Sequence, residues 1–139
     1  MTLDFNYDNR HYSISFMSKA IQIVGEAAAG KSLMFQDLRY FANKSPSLQG
    51  QYLFVNHANH QETDINRMTL YKFVVIDNAD IILTPEIERL IIQSQLEEET
   101  QWVLLGRSPL GCIITNSVGK LICEERDGQY YFYVDYKQR

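Results

Sequence analysis

Residues 25–32, Gly25-Glu26-Ala27-Ala28-Ala29-Gly30-Lys31-Ser32, follow the spacing G-x-x-x-x-G-K-[ST] in full. Each fixed position answers a need of phosphate binding. Gly25 and Gly30 let the backbone bend so that the amides of Glu26, Ala27, Ala28, Ala29 and the residues as far as Leu33 point inward at anionic oxygens. A helix starting there adds its positive end. Lys31 is spaced to reach β- and γ-phosphates, and the Ser32 hydroxyl to ligate a bridging Mg²⁺. Average residue usage puts the accidental occurrence of the four fixed positions at roughly one chain of this length in two hundred. The flanking sequence has to decide.

The setting such a turn needs is a strand before it and a helix after it. Residues 20–24, Ala-Ile-Gln-Ile-Val, form an apolar run stopped by Gly25, and residues 31–43 carry Leu33, Met34, Leu38 and Phe41 at near-helical spacing. Three more apolar runs follow, at residues 52–55, 72–77 and 102–105, each of the kind buried on both faces of a parallel sheet. Thr84 as N-cap, Pro85 at the first helical position and Glu86 beside it predict a helix over residues 85–99. Residues 57–70 are polar and weakly patterned, which predicts a loop or a short helix. Alternation at residues 3–7 and 12–16 around Asp8-Asn9-Arg10 predicts an N-terminal hairpin, and Asp127-Gly128 between residues 120–125 and 129–136 a C-terminal one. The sum is an α/β sheet, parallel in its centre, with antiparallel hairpins at the two ends of the chain.

With the glycine turn set between strand and helix, the chain resembles the P-loop NTPase superfamily over about residues 20–107. Phe73-Val74-Val75-Ile76-Asp77 looks like the Walker B strand of that superfamily, which implies that Asp77 holds Mg²⁺ together with Ser32. The strand at 52–55 and the strand at 102–105 resemble the branch with an additional central strand, which includes the AAA-type and recombinase-like ATPases. The resemblance implies a three-layer α/β/α architecture, ATP or another nucleoside triphosphate with Mg²⁺ as ligands, and the fourth strand beside the loop-bearing one. Arg107 would then stand near the γ-phosphate, or else be a solvated loop charge. Lys31, Asp77, Asn78 and Arg107 are the residues this resemblance assigns to catalysis.

One departure bears on that assignment. Where hydrolytic members follow the Walker B aspartate with glutamate, this chain has Asn78, an amide that cannot take a proton from water. Glu26 and Asp80 are substitute bases, although Asp80 equally suits the turn into the next helix. Tyr12 or Phe16 could lie under a base or pack in the core, and His57-x-x-His60 suits a loop better than a metal. Residues 97–99, all glutamate, read as a solvated face or a docking spot for a basic partner. Of the aromatics at Tyr130, Tyr131, Phe132, Tyr133 and Tyr136, one face should pack on the core and the other is free for an interface.

Composition narrows the class. With 139 residues, 45% apolar and 22% charged, the chain reads as one soluble globular domain, a minimal nucleotide-binding unit spanning residues 1–139. A net charge of -4 gives no global field for nucleic acid. No apolar run reaches the ~18 residues of a membrane span, and residues 1–5 lack a signal-peptide layout, so the cytoplasm is the expected compartment. Cys112 and Cys123, without metal-like spacing, are expected as buried or partly buried thiols. The readings that follow are a weak or partner-activated ATPase that switches a protein partner or a homo-oligomer, a non-catalytic nucleotide-binding module, and a small phosphotransferase. The last lacks an Arg-rich lid.

Overall fold

Alternating apolar and polar residues give β1 (Thr2–Tyr7) and β2 (Arg10–Ser15), an antiparallel hairpin in which Phe5, Tyr12 and Ile14 point inward. Its turn holds Asp8 at φ 55, a left-handed conformation that aspartate tolerates. The structure, a computed structural model, describes residues 2–26, 29–111, 114 and 117–136. After the hairpin come β3 (Ala20–Val24), α1 (Lys31–Lys44) and β4 (Tyr52–Val55). Only short 3₁₀ turns at His60–Glu62 and Ile65–Leu70 lead to β5 (Phe73–Ile76), in keeping with the weak pattern of that stretch. Then follow α2 (Ala79–Ile82), α3 (Pro85–Glu97), β6 (Gln101–Gly106), β7 (Ser117–Arg126) and β8 (Gln129–Asp135). Thr84 caps α3 as its type predicts, its hydroxyl accepting from the Ile87 amide at 3.3 Å. The single turn α2 was not anticipated, and α3 stops two residues before the expected Glu99.

All strands among the described residues belong to one sheet in the order β1-β2-β8-β7-β3-β6-β5-β4. From β7 to β4 every pairing is parallel, and β6 lies beside β3 in the register Ala20↔Trp102 to Val24↔Gly106, the adjacency expected of the fourth strand. Both hairpins sit on the same side of this parallel set, because β2 pairs with β8 rather than flanking the opposite edge.

The three-layer α/β/α architecture is thereby overturned. The described residues form a single eight-stranded mixed sheet, curled into a half-barrel, with 37% of them in strand against 32% in helix. Covering both faces of so wide a sheet takes a layer of crossover helices on each, yet only α1 and α3 are longer than six residues among the described residues. The β4–β5 crossover supplies 3₁₀ turns instead. Eight twisted strands without that cover curl, and they curl around α1: Phe41 lies 5.6 Å from Phe5 on β1, and Phe35 5.5 Å from Phe54 on β4, the two outermost strands.

On the concave side Met34, Phe35, Leu38 and Ala42 of α1 pack with Ile21, Ile23, Val75, Leu105 and Phe132. On the other side Ile87 and Ile91 of α3 meet Val74, Ile76, Trp102 and Leu104, with the Trp102 indole donating to Ser94 Oγ at 2.6 Å. The concave core contains a charge. Asp37 of α1, 3% exposed, accepts from Arg10 Nε and Nη2 at 2.7 and 3.0 Å and from the Tyr12 hydroxyl at 2.5 Å, pinning the N-terminal hairpin to the helix. Among the described residues no helix is long and apolar enough to cross a membrane.

Burial and the bond to Asp37 push the Tyr12 phenol far above its ordinary range, and burial pushes Tyr136 up to about 12. A phenol whose folded pKa exceeds its unfolded value contributes stability that is complete below the unfolded value of ~10 and lost as pH rises toward the folded one. Unfolding free energy is therefore expected to be flat up to about pH 10 with respect to these groups and to fall above it. Urea titrations across pH 8–12 check this, and Tyr12→Phe combined with Tyr136→Phe should flatten the fall.

Candidate functional site

Because β3, β6 and β5 are adjacent and parallel, their carboxyl ends open on one edge, where ligands of α/β sheets bind. Gly25 follows β3, Asp77 follows β5, and Arg107 follows β6. The turn after β3 uses its glycines as the spacing predicts: φ is 149 at Gly25 and 97 at Gly30, both in the region that side chains disfavour. Gly30 is the N-cap of α1, its carbonyl accepting from the Met34 amide, and the Ala29 amide donates to the Glu26 carbonyl. Ala27 and Ala28 lie outside the described residues. Leu33 places its amide in the first turn of α1 while its side chain is exposed.

Lys31 is 5% exposed and folds back over the turn, donating to the carbonyls of Gly25 at 2.6 Å and Glu26 at 2.7 Å. Burial lowers its pKa, Asp77 opposes that, and the positive charge of Arg107 adds to it. Ser32 Oγ donates to Asp77 Oδ2 at 3.4 Å. Burial raises the Asp77 carboxyl above the usual carboxylate range, against the pull of the Asn78 amide at 3.1 Å, of Ser32 and of Lys31.

Octahedral Mg²⁺ at ~2.0–2.1 Å sets neighbouring oxygens about 2.9 Å apart, so Ser32 and Asp77 need only a small approach to share one. Among the described residues no group of three or more His, Cys, Asp or Glu could hold a metal ion. A divalent ion here would complete its shell with water and phosphate oxygens, the usual habit of Mg²⁺.

Asn78 has φ 54 and ψ 42, the left-handed region, at the N-cap of α2 and without a side-chain cap bond. Asparagine enters that region more readily than glutamate. The backbone therefore explains the amide at this position independently of catalysis. Asp80, in the first turn of α2, is committed to the neighbouring strand: Oδ2 accepts from the amides of Arg107 and Ser108, both at 3.2 Å. Its Oδ1 is buried without a hydrogen-bond partner among the described residues.

A crevice of about 390 Å³ is lined by Gly25, Glu26, Asp80, Ile81, Arg107 and Ser108. A wider one of about 670 Å³ continues past Ala29 and Arg107 to Pro109, Lys120, Leu121 and Ile122. Gly25, Glu26 and Arg107 border both.

Other candidates lie elsewhere. Tyr12 is buried between Phe5 and Phe132, and Phe16 packs against Phe73, so neither is set to stack on a base at this edge. His57 and His60 have ring centroids 5.9 Å apart and no third ligand among the described residues. Glu97, Glu98 and Glu99 are exposed. Phe132 and Val134 pack inward from β8 while Tyr130 and Tyr133 stay exposed. Cys123 is an exposed free thiol, contrary to the burial expected of it, and Cys112 lies outside the described residues.

Two features escaped the sequence reading. The clamp from Asp80 to the β6 loop had only Asp80 as a trace. The Asp37 anchor had a clearer signal: Asp37 shares the helical face of Met34, Leu38 and Phe41, a polar residue on an apolar stripe. No protein-family model, no curated protein and no solved structure matches the chain.

Proposed function

We propose that this chain binds a nucleoside triphosphate, ATP or a relative, with Mg²⁺ at residues 25–33, through a phosphate-binding turn like that of P-loop NTPases. It acts as a nucleotide-dependent switch that hydrolyses slowly or only when a protein partner or a second copy completes the site, in the cytoplasm. The observation that carries this reading is the meeting, at one strand edge, of a left-handed glycine turn, the Lys31 ammonium and the Ser32–Asp77 oxygen pair. Lys31 would leave the carbonyls of Gly25 and Glu26 for phosphate oxygens, the amides of the turn would hold the same anion, and Arg107 would face the terminal phosphate. Mg²⁺ supplies charge neutralisation between phosphates.

Slow turnover follows from the carboxylates available. Asn78 has none and Asp80 holds two backbone amides, which leaves, of the two substitute bases, only Glu26, an exposed side chain on the crevice wall. These observations also favour a second reading, in which the nucleotide is bound and never cleaved.

Asp77→Asn tests the proposal. Affinity for a fluorescent ATP analogue should fall about tenfold in Mg²⁺ and stay unchanged in EDTA, the loss of one metal ligand. The variant without nucleotide should also be more stable. Burial raises the folded pKa of Asp77, so the ionised form disfavours the fold, and stability falls as pH rises from the unfolded value of ~3.9 through the folded one. Asparagine removes that charge. Wild-type turnover is expected well below the ~1 s⁻¹ low end of typical enzymes. A wild type that binds no triphosphate ends the proposal, and equal weakening in Mg²⁺ and EDTA makes Asp77 structural.

A further inference from the structure

Asp80 and Gly106 make a close pair that the nucleotide reading leaves unused. Gly106, the last residue of β6, has an ordinary backbone, yet a Cβ there would stand 2.8 Å from Asp80 Oδ1 and 3.0 Å from its Cγ. Real Cβ atoms do not approach so closely, and an aspartate is too short to swing clear while keeping both amides. Glycine at 106 is thus what admits the Asp80 carboxylate under the start of the β6 loop. The carboxylate uses one oxygen on the amides of Arg107 and Ser108 and buries the other unpartnered among the described residues. An orphaned buried oxygen is costly, and a residue serving only as a solvated helix-start charge would turn it to water. Asp80 stands three residues beyond Asp77, so the contact ties the strand end that carries the metal ligand to the strand end that carries Arg107.

We infer that Asp80 is a positioning residue: through the space left by Gly106 it fixes the backbone of Arg107, so that the guanidinium meets the terminal phosphate of the nucleotide. The inference rests on the nucleotide reading for its ligand, and on the described geometry for the clamp itself. It separates Asp80 from the role of general base. A base needs a titratable oxygen facing water, whereas a clamp needs an acceptor for two amides. Asparagine supplies that acceptor and no base.

Two measurements on the full chain test this. Amide hydrogen exchange, read without nucleotide, should find Arg107 and Ser108 protected in the wild type and in Asp80→Asn, and at least tenfold faster in Asp80→Ala. Gly106→Ala should expose the same amides, and adding it to Asp80→Ala should change nothing further, because its effect runs through the carboxylate. The second measurement is the ratio of Mg·ATP to Mg·ADP affinity, which isolates the terminal phosphate. Arg107→Ala should lower that ratio about tenfold, the scale of one charge-assisted bond. Asp80→Ala should do the same, the double variant no more, and Asp80→Asn should restore most of it. Unchanged exchange in folded Asp80→Ala overturns the clamp. So does Asp80→Asn losing the ratio as fully as alanine, because the charge itself would then be required. A wild type that binds neither nucleotide refutes the proposed function, and with it the role toward phosphate, while the exchange data still decide the clamp.

Discussion

Replacing Lys31 with alanine is expected to weaken Mg·ATP binding by at least about a hundredfold, the worth of two charge-assisted bonds to phosphate at ~1.5–3 kcal/mol each. The fold should survive. The ammonium bonds the carbonyls of Gly25 and Glu26, and losing those bonds loosens the turn. Against this, burial lowers the pKa of Lys31, so the same substitution relieves a desolvated charge. The two effects oppose, and the melting temperature should move little. Lys31→Arg should not restore binding, since a planar guanidinium cannot take the place of a compact ammonium over so tight a turn. Titration with a fluorescent ATP analogue, with circular dichroism as the control for folding, checks the series. Unchanged affinity in a folded alanine variant would remove residues 25–33 from the function altogether.

The largest loss of stability is expected at Asp37. Its carboxylate serves the Arg10 guanidinium twice and the Tyr12 hydroxyl once, at 3% exposure. Removing one partner of a buried ion pair typically costs ~3–5 kcal/mol, because the other charge stays behind unpaired. Against a total stability of ~5–15 kcal/mol, Asp37→Ala should leave the chain marginal or unfolded at 37 °C. Arg10 is partly exposed and can turn toward water, which places the expected value at the lower end of that range. Urea unfolding of Asp37→Ala and of the double variant with Arg10→Met gives the comparison. The double variant should recover part of the loss. A cost under ~1 kcal/mol for the single variant would mean that strand pairing alone holds the hairpin.

Where local chemistry decides conformation, the sequence was readable. Gly25, Gly30, Thr84 and Asp127-Gly128 each act through their own backbone or side chain, and the turn, the helix starts and the C-terminal hairpin lie where those residues put them. Buried runs such as Phe73-Val74-Val75-Ile76 are equally plain. The architecture was not readable, because it depends on pairings between distant segments. Nothing in residues 10–15 or 129–135 states that β2 pairs with β8, and that one choice moves both hairpins to the same flank of the sheet. In the site, Lys31, Ser32 and Asp77 follow from spacing. The clamp of Asp80 needs the approach of α2 to β6, and the left-handed backbone of Asn78 gives a plain reason for a residue that spacing alone had cast as a catalytic departure.

The β2–β8 ladder has a further consequence in time rather than space. Arg10 pairs with Tyr130 and Ser13 with Tyr133, contacts that span nearly the whole sequence. Closing such long loops comes before any reward from the contacts they bring, and chains rich in distant pairings fold slowly. During synthesis the β1–β2 hairpin emerges well before its docking strand β8. Until then one edge of β2 is unpaired, an open template for other strands. The interval between translating residue 15 and residue 129 is thus when this fold is most exposed to misassembly, and the Asp37 anchor on α1, complete long before β8 exists, gives the waiting hairpin a native partner.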